Sequence, residues 1–294
     1  MVYDAATQST VLFGRGNGGV SPGVRYDDTW LWRDEWTRQS PATAPSARQG
    51  PGMAYDPTTG TVVLFGGGNS GDDKLGDTWT WDGDTWTQQF PPVSPRPREW
   101  DFPGMAYDAA AGTVVLFGGL GAGNQPLADT WEWNGTTKAW TQRFPASSPS
   151  ARRGMLAYDA ARKNIVFFGG DNGAGDCCDT YYGDTWTWNG VTWTEHFPAS
   201  APSARTDSAI AYDGYMDAVV LYGGFNVPGH GLNDTWIWDG TNWTEFSPAT
   251  NPGGLWVPGI DFDPLSAGLV MFGGEITGDP FANSTWLFLP APFR

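Results

Sequence analysis

The 294-residue chain contains two cysteines, Cys177 and Cys178, which are adjacent within the stretch DNGAGDCCDTYYGDT of residues 171–185. Neighbouring Cα atoms lie about 3.8 Å apart across a trans peptide, less than the roughly 4.4–6.8 Å usual for a disulfide. A bond between them would close a strained ring, and strain of this kind indicates a site rather than a structural staple. For an extracellular protein we expect this vicinal disulfide rather than two free thiols. It would form a rigid apolar knob beside Tyr181 and Tyr182.

Oxygen ligands for a metal ion lie in the same stretch. A soft-metal site needs more thiolates or histidines than the cysteine pair supplies. Asp171, Asn172 and Asp176 could bind calcium through their oxygens, although DNGAGD lacks the full spacing of a calcium loop. We therefore expect no required cofactor, with calcium as the open alternative.

The chain has two histidines, which differ in their surroundings. His230 lies in FNVPGHGLND and could form a site with the carboxylates of Asp171, Asp207 and Glu275. His196 matches positions on an outer strand and is expected to be exposed, without a chemical role. No GxSxG, HExxH or phosphate-loop motif occurs, so those enzyme classes gain no support.

The composition limits the possible partners. The formal net charge is −16, from 32 Asp and Glu against 16 Lys and Arg. A negative field of this strength repels phosphate backbones and argues against nucleic acid. No run of about 18 apolar residues is present, and MVYDAATQST lacks the basic start and apolar stretch of a signal peptide. We expect no membrane span and no signal peptide in this chain, and an extracellular or cell-surface location.

A unit of about 50 residues recurs six times. Each unit has a Tyr-Asp pair (Phe-Asp in the last) and an apolar run such as TVVLFGG. A variable stretch, a DTWTW-like segment, a DG or NG turn and a further Trp follow in most units. These segments predict four short strands, named a (around GMAYD), b (TVVLFGG), c (DTWTW) and d (WTQQF). The fold class predicted is all-β, a six-bladed β-propeller of four-stranded blades. Residues 1–294 form a single domain, with repeats at approximately 1–52, 53–104, 105–155, 156–210, 211–260 and 261–294.

The double glycine that ends strand b and the tryptophans of strands c and d resemble the kelch repeat. The DTWTWDG…W variant is similar to bacterial kelch proteins that resemble the central domain of galactose oxidase. This resemblance covers nearly the whole chain and implies that the b–c and d–a loops share one face, which binds ligands around the central channel. Galactose oxidase chemistry uses two histidines and a Cys-crosslinked Tyr at one copper, so the single histidine on this face argues against copper.

Several side chains are expected on that loop face. Trp100 and Trp256 fall outside the repeat positions, in d–a loops, and either pack between loops or stack on a sugar ring or an aromatic ligand. Arginines recur at the matching point of four d–a loops, and repetition favours a structural role, such as binding loop carbonyls or the strand-a aspartate of a neighbouring blade. They could alternatively hold a carboxylate. The predicted ligand-binding set is Trp100, Trp256, Tyr181, Tyr182, Cys177, Cys178, Arg98, Arg153, Arg205, Asp207 and Glu275.

The sixth unit departs from the pattern. The strand-d tryptophan occurs five times, and only APFR remains after STWLFLP. Either the chain begins inside a longer secreted protein whose preceding residues complete the last blade, or blade six is three-stranded with an open edge. An open edge invites pairing with another chain. We expect a monomer, with dimerisation through this edge as the alternative.

Taken together, the sequence favours an extracellular bacterial propeller that binds a carbohydrate, a peptide or a small molecule on the loop face. One alternative is an enzyme acting on a sugar or sugar acid, an isomerase, mutarotase or lyase in which His230 or Tyr181 moves a proton. Another is a protein-interaction scaffold, because propellers of this type serve all three purposes.

Overall fold

Each predicted repeat forms one antiparallel sheet. A computed structural model describes residues 1–16, 24–71, 73–99, 104–173, 180–226, 231–248, 251–276 and 284–288. Blades one to three consist of β1 (Val2–Asp4), β2 (Ser9–Gly16), β3 (Arg25–Arg33), β4 (Glu35–Gln39), β5 (Gly52–Asp56), β6 (Thr61–Phe65), β7 (Thr78–Trp81), β8 (Trp86–Gln89), β9 (Met105–Asp108), β10 (Thr113–Phe117), β11 (Thr130–Asn134) and β12 (Ala139–Arg143). A short 3₁₀ helix spans Ala122–Asn124.

The second half of the chain repeats this arrangement. Blades four and five consist of β13 (Arg153–Asp159), β14 (Asn164–Asp171), β15 (Thr185–Trp188), β16 (Trp193–His196), β17 (Ala209–Asp213), β18 (Ala218–Tyr222), β19 (Thr235–Trp238) and β20 (Trp243–Phe246). The last segment contains β21 (Leu255–Trp256), β22 (Gly259–Asp263), β23 (Gly268–Phe272), β24 (Glu275–Ile276) and β25 (Thr285–Phe288). In the first five blades, strands a to d pair with their sequence neighbours. The prediction of a six-bladed propeller is confirmed.

Strand b is buried on both faces, which explains its continuous apolar run. In blade two, Val62, Val63 and Leu64 are completely buried, between the strands β5 and β7 of their own sheet and the neighbouring blades. Burial of each such side chain contributes about 1.5–3 kcal/mol. The blades are therefore held together mainly by their faces, and the ring folds as one unit.

The aspartate of each Tyr-Asp pair caps the a–b turn. Asp56 Oδ1 accepts the backbone N–H of Thr58 at 2.9 Å, an Asx-type turn. The equivalent contact occurs at Asp4, Asp108, Asp213 and Asp263, and Asp159 Oδ1 accepts the N–H of Arg162, three residues on. The tyrosine of the pair instead reaches the central channel. The cavity there has a volume of about 290 Å³ and is lined by the six strands a, including Tyr3, Tyr55, Tyr107, Tyr158, Tyr212 and Phe262.

The double glycine after strand b allows the d–a loop that leads to the next blade to approach closely. Gly66 has a φ of 68°, and a Cβ there would lie 2.5 Å from the carbonyl oxygen of Arg98. A side chain at this position would clash and would also occupy the left-handed region that favours glycine. The glycines thus bring the d–a loop onto the end of strand b.

Blade one closes the ring against blade six. Strand a of each blade contacts strand a of the next, and β22 contacts β1. Tyr3 donates its backbone N–H to Asp261 Oδ2 at 2.6 Å. The indole N–H of Trp36 donates to Thr285 Oγ1 at 3.0 Å. Packing and hydrogen bonds between the separate sheets of blades one and six therefore close the circle.

Blade six is a three-stranded sheet in the order β22–β23–β25. The prediction of a three-stranded last blade is confirmed. In the part of the chain that the structure describes, no strand pairs with the outer edge of β25. Within the same residues, no helix has the length and apolar character needed to cross a membrane.

Candidate functional site

Buried arginines fasten the d–a loops to the following blades. Arg98 donates from Nη1 and Nη2 to the two carboxylate oxygens of Asp129, at 2.6 and 2.7 Å, and from Nη1 to the carbonyl of Gly118 at 3.0 Å. Equivalent pairs join Arg48 to Asp77, Arg152 to Asp184 and Arg205 to Asp234. These arginine side chains are at most 3% exposed. Bidentate guanidinium–carboxylate pairs of this kind are among the stronger hydrogen-bonded contacts.

This geometry corrects one detail of the structural role expected for the arginines. Loop carbonyls are partners, as predicted, but the carboxylate belongs to the DTW segment of strand c and not to strand a. Burial alone would raise the pKa of Asp129, but the hydrogen bonds and charge of Arg98 outweigh it and hold that pKa below its ordinary value. At blade six, Leu255 stands at the arginine position of the preceding d–a loop and Ser284 stands at the aspartate position of strand c. Both members of the ion pair are therefore replaced there.

The residue that follows each anchoring position pairs with the b–c loop of the next blade. The pairs surround the end of the channel at which strands a begin, and we call these ten residues the mouth ring. They are Gln49 with Gly68, Glu99 with Leu120, Arg153 with Asp171, Thr206 with Phe225, and Trp256 with Glu275. The backbone pairing is the same from blade to blade while the side chains differ, so this is where the propeller departs from its own symmetry.

A charged network occupies the mouth ring at blades four to six. Arg153 Nε donates to Asp171 Oδ2 at 2.7 Å. Thr206 Oγ1 lies 2.6 Å from the same oxygen and 2.9 Å from Asp207 Oδ1. Asp171, Thr206 and Asp207 are at most 5% exposed, whereas the side chains of Arg153 and Glu275 are half-buried. The structure thus brings together four residues that the sequence analysis named separately: Arg153, Asp171, Asp207 and Glu275.

The number of hydrogens available for donation shows which group donates each hydrogen bond in this network. A threonine hydroxyl donates one hydrogen, yet Thr206 contacts two carboxyl groups. Both contacts are hydrogen bonds when Asp207 keeps its proton and donates it to Thr206 Oγ1, and Thr206 donates to Asp171. Burial raises the pKa of Asp207 from 3.8 to about 6; the charge of Arg153 opposes the rise, and those of Asp171 and Glu275 add to it. Asp207 is therefore a buried acid that titrates close to neutral pH.

The backbone at Asp207 is also unusual. Its φ is 62°, at a position that glycine fills in blade two, where Gly50 has a φ of 55°. Aspartate tolerates the left-handed region better than most side chains. In the next d–a loop Val257 has the same φ of 62°, and its N–H donates to the carbonyl of Asp207 at 3.0 Å. Strain in two adjacent loops is typical of functional sites.

Aromatic side chains border the network. Tyr181 forms a backbone bridge with Asp171, and its ring lies 5.7 Å from that of Phe225 in an edge-to-face arrangement. Tyr182 has a different role, because the guanidinium carbon of Arg152 lies 3.5 Å from the centre of its ring. This cation–π contact supports the Arg152 anchor. Of the two predicted tyrosines, Tyr181 therefore borders the acidic network.

Comparison with known proteins agrees with the architecture and with the repeats. The model of the KLHDC2/KLHL20/DRC7 Kelch-repeats domain matches residues 5–199, which is more than half of the chain. The chain belongs to the kelch-repeat family. Human Kelch domain-containing protein 1 is 34% identical over 94 residues, a match that covers 32% of this chain and 22% of the human protein. This kelch propeller has the fold of a protein-interaction scaffold, the role that such propellers commonly serve. The similarity to galactose oxidase stays a prediction.

Several predicted site residues lie outside the described part of this kelch propeller. They are Trp100, Asp176, Cys177, Cys178 and His230, so the vicinal disulfide and the histidine site stay predictions. For Trp256 the structure describes the backbone pairing with Glu275 but not the side chain. No group of three His, Cys, Asp or Glu side chains suited to a metal ion occurs among the described residues. Asn172 Oδ1 accepts the N–H of Thr180 at 2.9 Å. Calcium binding stays a prediction.

The structure also adds residues that sequence reasoning missed. Thr206 connects the two buried acids, and Phe225 packs beside Tyr181. The only sequence signal for Thr206 was its place after a recurring arginine, and the only one for Phe225 was its place after a recurring Gly-Gly pair. The expectation for His196 was wrong. It is half-buried, with Nε2 2.8 Å from Thr187 Oγ1 and its ring 5.5 Å from that of Trp238. Burial lowers its pKa.

Proposed function

We propose that this kelch propeller is a binding scaffold whose mouth ring holds a basic segment of a partner protein. The observation that carries the proposal is the acidic network of blades four to six. There the carboxyl groups of Asp171, Asp207 and Glu275 outnumber the cation Arg153 among the described residues of the network. Asp207 loses its proton above about pH 6, which adds a negative charge to this side of the mouth.

The other half of the mouth ring does not carry the same excess. Glu99 is paired with Lys74, and Gln49, Gly68 and Leu120 are uncharged. A lysine or arginine side chain would therefore be attracted to blades four to six. Its aliphatic stem can pack on an aromatic ring and its charge can lie over one, and Tyr181 and Phe225 supply such rings at half-buried positions.

Titration with short peptides tests the proposal. Three extended peptides that differ only in having lysine, glutamine or glutamate at two central positions are titrated against the chain by calorimetry at pH 7. We expect the lysine peptide to bind best. Glu275→Gln should weaken it about two- to fivefold, the size expected of one partly exposed charge pair. Asp84→Asn, which removes the same charge from an exposed turn at the opposite end of the blades, should leave the affinity unchanged.

The pH dependence provides a second check. The affinity for the lysine peptide should fall between pH 7 and pH 5, because Asp207 takes up a proton near pH 6. Equal binding of the three peptides, or equal effects of Glu275→Gln and Asp84→Asn, would contradict the proposal.

The titrating acid also supports a second candidate function, proton transfer on a sugar or sugar acid, because a group with a pKa near the working pH suits acid–base catalysis. Turnover of a sugar acid that Asp207→Asn abolishes would favour the enzyme, and selective binding to a glycan array would favour a carbohydrate ligand. Extracellular location stays a prediction.

A further inference from the structure

In blade three, the aspartate that caps the a–b turn has one carboxylate oxygen in use and one that is not. Asp108 is 1% exposed, and its Oδ1 accepts the backbone N–H groups of Ala110 and Ala111 at 2.9 and 3.2 Å. Within the described part of the chain, no group donates to Oδ2 and no cation pairs with it. Burial raises the pKa of Asp108, opposed only by those two backbone N–H groups. A buried carboxyl group thus stands here without a positive partner among the described residues.

In blade four, an arginine of the same turn supplies that partner. Arg162 Nη1 lies 3.2 and 3.1 Å from the two carboxylate oxygens of Asp159. The same nitrogen donates to the backbone carbonyl of Asp217, in blade five, at 2.8 Å. A Cβ added to Gly240, in the c–d turn of blade five, would collide with Nε and Cδ of this arginine. Arg162 therefore joins two blades, with its guanidinium between a buried carboxylate and a backbone carbonyl.

The residue three positions after the capping aspartate decides how this place is filled. From blade one to blade six, it is Thr7, Thr59, Ala111, Arg162, Met216 and Ser266. In blades one and two, the threonine methyl lies beside the c–d turn glycine of the following blade, Gly83 or Gly135. In blade three the place is open. A Cβ added to Gly190 would lie 3.9 Å from Asp108 Oδ2 and, apart from its chain neighbours, would have no other described atom within 4 Å. We call this opening between Asp108, Ala111 and Gly190 the notch.

The repeat also supplies the notch with a second acceptor and with an apolar side. Asp217, whose carbonyl receives Arg162, matches Lys163 of blade four, and the two have similar left-handed φ values of 50° and 57°. The carbonyl of Lys163 is therefore the corresponding acceptor at the notch. A guanidinium presents several N–H donors in one plane and can serve both acceptors at once, whereas an ammonium acts as a point charge. Val191, directly after Gly190, is 74% exposed and offers apolar surface to an aliphatic stem.

We propose that the notch binds the guanidinium group of an arginine from a partner protein, in the position that Arg162 takes one blade further on. The guanidinium pairs with Asp108 Oδ2 and donates to the carbonyl of Lys163. Ala111 is exposed, so the rest of the ligand stays outside the notch, as the backbone of a polypeptide would. The net charge of −16 attracts a basic partner. The notch lies at the a–b turn end of the blades, opposite the mouth ring, and does not depend on the function proposed for that ring.

A titration followed by the backbone amide NMR signals of the full chain tests the proposal. The probe is Nα-acetyl-arginine methylamide, which carries the side chain on a peptide-like backbone, and the citrulline analogue is its uncharged counterpart. We expect saturable shifts at Ala110, Ala111 and Gly190, and an affinity about fivefold weaker for the citrulline probe. Asp108→Asn should weaken the arginine probe by a similar factor. Asp84→Asn, which removes the same charge from an exposed turn at this end of the blades, should have no effect.

Two further variants fill and empty the place from within the chain. Ala111→Arg gives blade three the residue that blade four has, so it should abolish the shifts caused by the probe and raise the midpoint of urea unfolding. Ala109→Arg adds the same charge at an exposed position of the same turn and should change the affinity less than about twofold. Arg162→Ala empties the equivalent place in blade four. It should add shifts at Gly240 and one more bound probe per chain than in the wild type.

Three results would overturn the proposal. Equal affinities for the arginine and citrulline probes would mean that the notch does not select a guanidinium. Unchanged binding in both Ala111→Arg and Asp108→Asn would place the probe elsewhere, and shifts at Thr206 and Phe225 in the same spectra would assign it to the mouth ring. Tighter binding of free arginine than of the capped probe would contradict a polypeptide ligand. If Ala111→Arg does not fold, Asp108→Asn and Arg162→Ala decide the outcome.

Discussion

Trp243 of blade five donates its indole N–H to Thr185 of blade four across 2.9 Å, and both residues are at most 1% exposed. The bond joins the outermost strand of one blade to the third strand of the preceding one. Each of the first five blades makes this bond, so one indole hydrogen bond holds the outer part of the ring at five blade interfaces. At the interface of blades five and six, Thr235 Oγ1 has no hydrogen-bond partner among the described residues.

Thr185→Val and Thr235→Val should therefore have opposite effects on stability. The first removes the acceptor of a buried indole N–H, and an unsatisfied donor of this kind costs about 1–3 kcal/mol. The second removes a buried hydroxyl that has no hydrogen-bond partner in the part of the chain that the structure describes, so the free energy of unfolding should stay the same or rise. Urea unfolding of the two variants measures the difference, and equal losses would contradict the assignment of Thr235 as the unpaired site.

Arg98→Ala should destabilise the propeller by about 3–5 kcal/mol, because it leaves Asp129 without its buried partner. Arg96→Ala is the matched control. Its side chain is exposed, and its backbone carbonyl, which accepts Arg98 Nε at 2.9 Å, is retained. Unfolding in urea at pH 7 compares the two variants. Similar small losses would show that Arg98 does not anchor the loop.

The same pair predicts a pH dependence. The folded pKa of Asp129 is lowered, so the stability it contributes is complete above its unfolded pKa near 4 and is lost as the pH falls through the lower folded value. Without Arg98, burial raises the pKa of Asp129 in the variant, so the difference in unfolding free energy between the wild type and Arg98→Ala should be largest at pH 7, shrink as the pH falls and continue to shrink below pH 4. A constant difference down to pH 2 would contradict this.

Asp207→Asn should stabilise the protein at neutral pH relative to the wild type. The folded pKa is raised to about 6, so the ionised acid opposes folding above the unfolded pKa near 4, and the penalty is complete above pH 6. The shift from 3.8 to about 6 corresponds to about 3 kcal/mol. An asparagine amide can still donate to Thr206 Oγ1. In urea unfolding at pH 4 and pH 7, the unfolding free energy of the variant relative to that of the wild type should be higher at pH 7. An equal difference between the two proteins at both pH values would contradict the raised pKa of Asp207.

Gly66→Ala should cost about 2–5 kcal/mol in unfolding free energy. Part of this is the left-handed backbone, which costs a non-glycine residue about 1–2 kcal/mol, and the rest is the contact between the new Cβ and the carbonyl of Arg98. Gly123→Ala isolates the first part, since Gly123 has a similar φ of 65° and nothing lies within 4 Å of its Cβ position. Thermal unfolding of both variants tests the difference. Equal losses would mean that the loop can move away.

The blades could be predicted from sequence because each is a contiguous stretch with its own signals. Val62 to Phe65 form a continuous apolar run, Gly66 and Gly67 mark its end, and Trp79, Trp81 and Trp86 mark strands c and d. The open edge of blade six followed from the absence of a sixth strand-d tryptophan. These features depend on neighbours in sequence, and the packing rules for a buried strand are the same in every blade.

The candidate site was less predictable because its contacts cross between blades. Arg98 and Asp129 are 31 residues apart, and sequence alone did not show whether a strand-a or a strand-c carboxylate would lie nearer. The network of Arg153, Asp171, Thr206 and Asp207 depends on two loops of different blades meeting at one point. The one local feature that distinguishes Thr206 from other loop threonines is its place directly after a recurring arginine.

Arg152 and Arg153 are consecutive residues with separate tasks: the first fastens its loop to Asp184, and the second meets Asp171 in the mouth ring. The backbone of the mouth ring is thus set by a buried neighbour rather than by its own side chains. Single substitutions in the ring can change what the propeller recognises while the anchors keep the loops in place. A library randomised at Gln49 and Glu99, which lie outside the network of buried acids, would accordingly retain the fold while exploring new specificities, so the kelch ring can serve as a stable frame from which new binding proteins are selected.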